Sequence, residues 1–238
     1  MRLLVLRPQP DAARTAANLR GHGHVPVVAP LIRIESVAGA EFGKGPWDAF
    51  LITSVNALLA LAGHAHLNEL RKVPVFTVGE RTAQHIRERG FVSVTSADGD
   101  AADLVNLVAA RLKVPARLLY LAGEQRTGDL GGGLQARGYS VETAVVYRAV
   151  PAEHLPQEAA EALTAGLAGV LHYSYRSAAA YVEASRRSGM LETALAPTHF
   201  CLSARVAEPL ASAGAPRIRV APRPNEAALL GLLEGEAP

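Results

Sequence analysis

No disulfide can form within this chain, because Cys201 is its only cysteine. A fold stapled by bridges is excluded, and nothing points to an oxidising compartment. Cys201 sits in the apolar run Phe200-Cys201-Leu202, where a thiol packs as a small inert hydrophobe. Charge of one sign is also lacking: 24 basic and 22 acidic residues leave a net +2. Four like charges never occur in a row, so the basic footprint of a nucleic-acid-binding protein is missing. Long apolar runs are missing too. The opening Met1-Arg2-Leu3-Leu4-Val5-Leu6 stops at Arg7-Pro8, short of the roughly 7–15 apolar residues of an export signal. No stretch approaches the roughly 20 residues of a membrane span. The expectation is a cytoplasmic monomer with neither nucleic acid nor membrane as partner.

Cofactor fingerprints are equally scarce. No Gly-x-Gly-x-x-Gly follows any strand-like run, and Gly131-Gly132-Gly133 lacks the Lys-Ser/Thr of a phosphate loop. That glycine run reads as interrupting a helix rather than following a strand, so no nucleotide cofactor is expected. His22/His24 and His64/His66 are spaced pairs with no cysteine or nearby carboxylate to complete a metal site, and they read as surface histidines. His172, inside an apolar run, reads as a satisfied core histidine.

What the chain does contain is itself, twice. Leu3-Leu4-Val5-Leu6 reappears as Leu118-Leu119-Tyr120-Leu121, and Gly23–Arg33 aligns without a gap to Gly138–Arg148, both 115 positions on. Asp48–Ala57 is echoed about 120 positions later in Gly169–Ala178, with Ser174 opposite Ser54. Phe76–Ala83 meets Phe200–Ala207 after 124 positions, and Ala101-Ala102 meets Ala227-Ala228 after 126. The offset only grows, as small loop insertions require. Repeats of about 20–50 residues build solenoids; one of this length implies two similar domain-sized halves.

Within each half, short apolar runs alternate with helical patterns, which indicates an α/β fold of parallel sheets covered by helices. Strands are expected at Leu3–Leu6, Val25–Val28, Phe50–Ile52, Val75–Val78, Leu118–Leu121, Val141–Val146, Val170–Tyr173, Phe200–Leu202 and Ile218–Val220. Asp11 is placed to cap the helix Asp11–Arg20, Thr53-Ser54 to start the next, and Asn225 to cap the last. Leu104, Val105, Val108 and Leu112 form a core-facing stripe on Ala101–Leu112. Leu31–Glu35 and its repeat equivalent Val145–Val150 are extended and lead into polar or proline-containing chain. Paired, they would make a two-stranded connector between lobes. The residues alone fit two sequential halves as well as two interleaved ones.

The order of motifs resembles the uroporphyrinogen-III synthase family. The matching residues begin with Arg7-Pro8, Pro30-Leu31, Trp47-Asp48 and Ile52-Thr53-Ser54-Val55-Asn56-Ala57. They continue through Val78-Gly79-Glu80-Arg81-Thr82-Ala83, Leu121-Ala122-Gly123-Glu124-Gln125-Arg126 with Leu130, and Gly138-Tyr139-Ser140-Val141 leading to Val146-Tyr147-Arg148. Ser174 with Ala178, Cys201-Leu202-Ser203, and Asn225-Glu226-Ala227 with Leu230 complete the set, which spans nearly the whole chain. One departure is clear: Ser203-Ala204-Arg205-Val206-Ala207 carries valine where the family usually has threonine.

The resemblance implies two flavodoxin-like lobes joined by a two-stranded connector, with substrate bound between them. It therefore favours the interleaved arrangement: lobe 1 from residues 1–34 and 152–238, lobe 2 from 38–146, and crossings at 35–37 and 147–151. It implies a lyase of porphyrin and heme biosynthesis that closes the linear tetrapyrrole hydroxymethylbilane, inverts ring D, and releases uroporphyrinogen III and water without a cofactor. The upstream bilane-forming enzyme would be a partner.

Residue chemistry fits that substrate. In a parallel α/β sheet, ligands bind outside the carboxyl ends of the strands, where helix N-termini and exposed N–H groups attract anions. Arg7, Thr53, Ser54, Asn56, Gly79, Thr82, Gly123, Arg126, Ser174 and Ser203 all fall on that edge and are the expected contacts to a polycarboxylate. Arg14 and Arg176 could pair with carboxylates as well. A lone glycine or serine there more often just starts a helix; their occurrence in both halves is what singles them out. Tyr147 corresponds to a family tyrosine and is the expected catalytic residue, donating a hydrogen bond to the departing hydroxyl. The other reading of a duplicated, hinged chain is a non-catalytic bilobal protein that closes over a small polyanion.

Overall fold

The computed structural model describes residues 1–37, 39–40, 45–61, 70–126 and 128–234. The expected surface pair His64/His66 lies outside them. Eleven strands and ten helices are present among the described residues. The strands are β1 (Arg2–Val5), β2 (Val25–Val28), β3 (Ile32–Ser36), β4 (Ala49–Ile52), β5 (Val75–Thr77) and β6 (Val94–Ser96). They continue with β7 (Arg117–Gly123), β8 (Ser140–Pro151), β9 (Gly169–His172), β10 (Thr198–Cys201) and β11 (Ile218–Val220). The helices are α1 (Asp11–Gly21), α2 (Asn56–Leu61), α3 (Glu80–Glu88), α4 (Ala101–Arg111) and α5 (Leu130–Gln135). After them come α6 (Gln157–Thr164), α7 (Tyr175–Arg187), α8 (Leu191–Leu195), α9 (Ala204–Ser212) and α10 (Glu226–Leu230). No helix among the described residues is long and apolar enough to cross a membrane.

Two sheets form, in the orders β11-β10-β9-β1-β2 and β3-β8-β7-β4-β5-β6. The sequence repeat pairs β1 with β7, β2 with β8, β4 with β9, β5 with β10 and β6 with β11. Both sheets therefore have one pattern, built by exchanging segments between the repeats. The first takes β1 and β2 from the first copy and β9–β11 from the second. The other takes β4–β6 from the first and β7 and β8 from the second. Within each, β1–β9 and β7–β4 are parallel neighbours from which the remaining strands fan out in opposite directions. Chain contacts divide the molecule accordingly, into one unit of Met1–Arg33 with Val150–Pro238 and another of Ile34–Ala149.

β3 borders β8 at the edge of the second sheet, and Arg148 pairs with Glu35 at 3.0 Å. The strand expected at Val141–Val146 in fact continues to Pro151. It is the unbroken counterpart of β2 and β3 together. Pro30, without an N–H to pair, separates β2 from β3 where β8 runs on.

Alternation along the strands assigns side chains to the two faces of each sheet. In the first unit Leu4, Leu6, Val170 and Cys201 pack with Ala159, Tyr181, Ala184 and Leu210 on one side. Leu3, Val5, Leu171 and Phe200 pack with Ala12, Leu19 and Leu229 on the other. In the second unit Leu51, Leu118, Tyr120 and Ala122 meet Leu104, Val108, Leu130 and Leu134. Phe50, Ile52, Leu119, Leu121 and Val146 meet Leu58 and Ile86.

Caps explain several helix starts. Asn225 accepts from the Ala228 N–H at 2.8 Å, and Asp100 from those of Ala102 and Asp103. Asp11 does not cap α1. Pro10 holds that position without a side-chain bond, and the Asp11 carboxylate goes to Arg7 instead. The glycine run Gly131–Gly133 lies inside α5 rather than interrupting a helix, because Asp129 caps it by accepting from the Gly132 N–H at 2.8 Å. His172 is buried but only half satisfied. Its Nε2 shares a 3.1 Å hydrogen bond with His199 Nδ1, and its Nδ1 has no partner among the described residues.

Candidate functional site

The carboxyl ends of β4 and β7 flank a cavity of about 420 Å³ in the second unit. This is where the strand order reverses direction, the usual ligand position in open parallel sheets. Thr53 and Ser54 line it from the end of β4, and Gly123, Gln125 and Arg126 from the end of β7. Val78 follows β5, Gly99, Asp100 and Ala101 open α4, and Leu130 opens α5. Tyr120 and Tyr147 supply its aromatic wall.

Tyr147 owes its place to two backbone features. β7 and β8 keep register up to Ala122 opposite Val145, after which Gly123 stands opposite Tyr147. The extra residue, Val146, turns inward and is fully buried. Such bulges commonly re-aim a side chain beside a functional site. Second, the Tyr147 ring lies against the Gly123 backbone: a Cβ on residue 123 would come within 2.6–2.8 Å of the ring carbons and hydroxyl. Only glycine leaves the ring there. Burial raises the Tyr147 pKa, Ser54 opposes this by hydrogen bonding, and Tyr120 adds to it. The phenol therefore keeps its proton through the neutral range. Thr53 Oγ1 and the Tyr120 hydroxyl lie 3.2 Å apart. Four hydroxyls, from Thr53, Ser54, Tyr120 and Tyr147, thus collect on one cavity.

Thr53, Ser54, Gly123, Arg126 and Tyr147 are brought together as expected site residues. Asn56 and Thr82 are near neighbours that do not line the cavity: Asn56 starts α2 and donates its N–H to Ser54 Oγ at 3.3 Å, while Thr82 lies in α3. Gly79 caps α3 and follows Val78, its carbonyl accepting from Thr77 Oγ1 at 3.2 Å. The remaining three belong to the first unit. Ser174 caps α7, accepting from the Ser177 N–H at 3.1 Å. Ser203 precedes α9 without a side-chain cap, and Val206, in place of the family threonine, is buried in the core.

Arg7 follows β1 and is tied to its own chain. It donates to Asp11 at 2.9 Å, Thr15 at 3.1 Å and Glu226 at 3.3 Å, with its guanidinium 4.1 Å from the centre of the Tyr173 ring. Arg14 sits 3.5 Å from Glu226. Burial lowers the Arg7 pKa, against the opposing pull of Tyr173 and Glu226. Burial would raise that of Glu226, but hydrogen bonds from Thr15 and Tyr173 and the charges of Arg7 and Arg14 outweigh it and lower the value.

Sequence reasoning missed Tyr120, Asp100, Gln125, Tyr173 and Glu226. Tyr120 carried a faint signal as the one polar-tipped side chain in its apolar run. No group of three or more histidine, cysteine or carboxylate side chains that could hold a metal occurs among the described residues.

Comparison with known proteins decides the family. The model described as "Uroporphyrinogen-III synthase HemD" matches residues 13–231. The chain belongs to the uroporphyrinogen-III synthase family. No curated protein matches it significantly. Among solved structures, the uroporphyrinogen-III synthetase of Helicobacter pylori is similar with a TM-score of 0.66 and 20% identity, covering 100% of both chains. A mutant uroporphyrinogen III synthase of the extremely thermophilic bacterium Thermus thermophilus gives 0.51 and 19%, covering 99% of this chain and 96% of that one. At such identities the likeness speaks for the shared α/β fold; family membership rests on the match along the sequence.

Proposed function

We propose that the chain converts hydroxymethylbilane into uroporphyrinogen III, with Tyr147 as the residue that assists departure of the hydroxyl. The observation that carries this reading is the protonated, half-buried Tyr147 phenol at the switch-point cavity, among the hydroxyls of Thr53, Ser54 and Tyr120. The hydroxyl of the terminal hydroxymethyl group leaves as water after accepting a proton, its carbon staying on ring A as the methylene of an azafulvene cation. That methylene is attacked by the substituted carbon of ring D. The spiro intermediate opens by breaking the bond between that carbon and the bridge from ring C, which leaves an azafulvene cation on ring C. The free α-carbon of ring D attacks this bridge and loses its proton, closing the macrocycle with ring D inverted. Tyr147 donates a hydrogen bond to the leaving oxygen, an acid contribution of about 10²-fold at most. The larger share of the rate comes from holding a flexible chain with its ends together, where orientation can supply roughly 7–11 kcal/mol. Thr53, Ser54, Gly123 and Arg126 would meet pyrrole carboxylates at the cavity; Asn56, Gly79 and Thr82 support the same edge, with Ser174 and Ser203 its counterparts in the first unit. We place the reaction in the cytoplasm, with the bilane-forming enzyme upstream.

The test is to incubate purified protein with freshly generated hydroxymethylbilane and separate the oxidised products. Type III isomer in excess is expected. Type I alone, the spontaneous product, would overturn the assignment and leave the ligand-binding reading.

A further inference from the structure

The duplication gives the molecule two equivalent crevices, and they differ. That of the second unit, between the ends of β7 and β4, is the open cavity described above. Its counterpart in the first unit lies between the ends of β1 and β9, where Arg7 and Tyr173 emerge. There one carboxylate occupies the centre. Glu226 Oε1 accepts from the Thr15 hydroxyl at 2.7 Å, the Tyr173 hydroxyl at 3.0 Å and Arg7 at 3.3 Å, while Oε2 faces Arg14 at 3.5 Å. Only 14% of the Arg7 side chain is exposed.

The repeat explains how this arose. Glu226 is the counterpart of Asp100, by the same 126-residue offset that relates Ala101 to Ala227. Asp100 turns back to cap its own helix, accepting from the Ala102 and Asp103 N–H groups, and leaves its crevice open. In the first unit the cap is one residue earlier, at Asn225. Glu226 is thereby released from capping and reaches the crevice. Four donors from three separate segments are far more than a residue at a helix start needs, and charge-assisted bonds of this kind are the strong ones.

We propose that the crevice between β1 and β9 is a carboxylate-binding site whose resident ligand is the chain's own Glu226, and that a carboxylate of an incoming polycarboxylate displaces Glu226 from Arg7, Thr15 and Tyr173. The displacement rests on the substrate reading above; the self-occupied site does not. A tethered carboxylate holds the site at high effective concentration. A monocarboxylate in solution competes poorly with it, whereas a ligand already anchored elsewhere by other carboxylates competes on equal terms.

Removing the tether exposes the site to a small probe. Glu226→Ala is expected to melt several degrees below wild type, and about 100 mM sodium acetate to restore part of the loss where sodium chloride of equal ionic strength does not. Wild type should respond equally to both salts, and adding Tyr173→Phe to Glu226→Ala should diminish the acetate gain. Glu226→Gln keeps the side-chain volume and should show the same preference in smaller measure, so the test survives if the alanine variant does not fold. Equal response of both variants to the two salts would overturn the site. Displacement is tested by turnover: with the internal competitor weakened, Glu226→Gln should lower KM for hydroxymethylbilane threefold or more. An unchanged or raised KM would overturn displacement alone. A chain with the acetate preference that yields only type I product would retain the site and lose the enzyme assignment.

Discussion

Acid should destabilise this protein well before its carboxylates protonate, through the His172–His199 pair. Both rings are fully buried on adjacent strands, joined by a 3.1 Å hydrogen bond and flanked edge-on by Tyr181. One ring donates and the other accepts, which two neutral imidazoles satisfy, and burial away from water disfavours a charge on either. Burial pushes His199 down to about 4, the Leu195 carbonyl acting in the other direction and Arg217 adding to the fall. Burial, with His199 beside it, holds His172 well below its ordinary value. In the unfolded chain each titrates near 6.5. Between about pH 6.5 and 4 the unfolded state thus binds protons the folded state refuses, and stability falls as pH falls. At about 1.4 kcal/mol per pH unit, His199 alone costs roughly 2 kcal/mol by pH 5 and about 3 kcal/mol by pH 4. His172 adds a loss of the same sign. Against a typical total of about 5–15 kcal/mol this is a large share. Urea unfolding between pH 7.5 and 4.5 measures it, with His199→Gln as the comparison. Glutamine keeps a polar group beside His172 but cannot titrate, so its slope between pH 6.5 and 5 should be shallower by close to one proton. Equal slopes in the two proteins would refute the assignment. Glu226 does not confuse the window: its folded value is lowered, so its contribution is lost only below about 4.5.

Gly123→Ala should mimic Tyr147→Phe, each lowering kcat by about ten- to a hundredfold, and the double variant should lose little more than either alone, because the added methyl displaces the ring whose hydroxyl the other change removes; additive losses would separate the two residues. Gly169→Ala should destabilise by about 1–3 kcal/mol in chemical denaturation without changing KM, since its Cβ would enter the Phe200 ring and approach the Thr198 carbonyl at 2.9 Å. Ser174→Ala, which removes the α7 cap, should cost about 1 kcal/mol in the same assay. If Ser174 also binds substrate, KM rises as well; an unchanged KM confines it to capping.

Much of the fold could be read from short-range pattern, because parallel strands buried on both faces are short apolar runs and the repeat supplied each run with a second copy. Strand partnership was not legible in the same way. β4 pairs with β7 across more than sixty residues of chain, and no local feature of Ala49–Ile52 names that partner. The exchange of segments between repeats came only through resemblance to a family. The site divides along the same line. Thr53, Ser54 and Gly123 announce themselves as small residues just after strands. Tyr120 is hidden because its neighbours are apolar and its ring does pack in the core with Leu118 and Ala122; only the length of its side chain takes the hydroxyl from mid-strand to the cavity, beside Thr53. Gly123 lines the cavity and also yields space to the Tyr147 ring, and residue type alone discloses only the first of these. A turn glycine and one that yields space to a ring look alike in sequence, and the extra residue at Val146 that brings Tyr147 opposite it has no signature at all.

The charged residues carry the sharpest lesson. Arg7 has the residue type and the strand-end position of a carboxylate receptor, and it does receive a carboxylate, from a residue 219 positions away. What composition presents as an available cation is, in the folded chain, a neutral set of Arg7 and Arg14 with Asp11 and Glu226. In the second unit the position equivalent to Asp11 is Arg126, which lines the open cavity. The same duplicated frame therefore holds an acid that quenches its crevice in one unit and a base that charges it in the other. A polycarboxylate substrate would meet the second crevice directly and the first only by competing with Glu226. Duplication here has preserved the framework while leaving one strand-end edge paired with its own carboxylates and the other open.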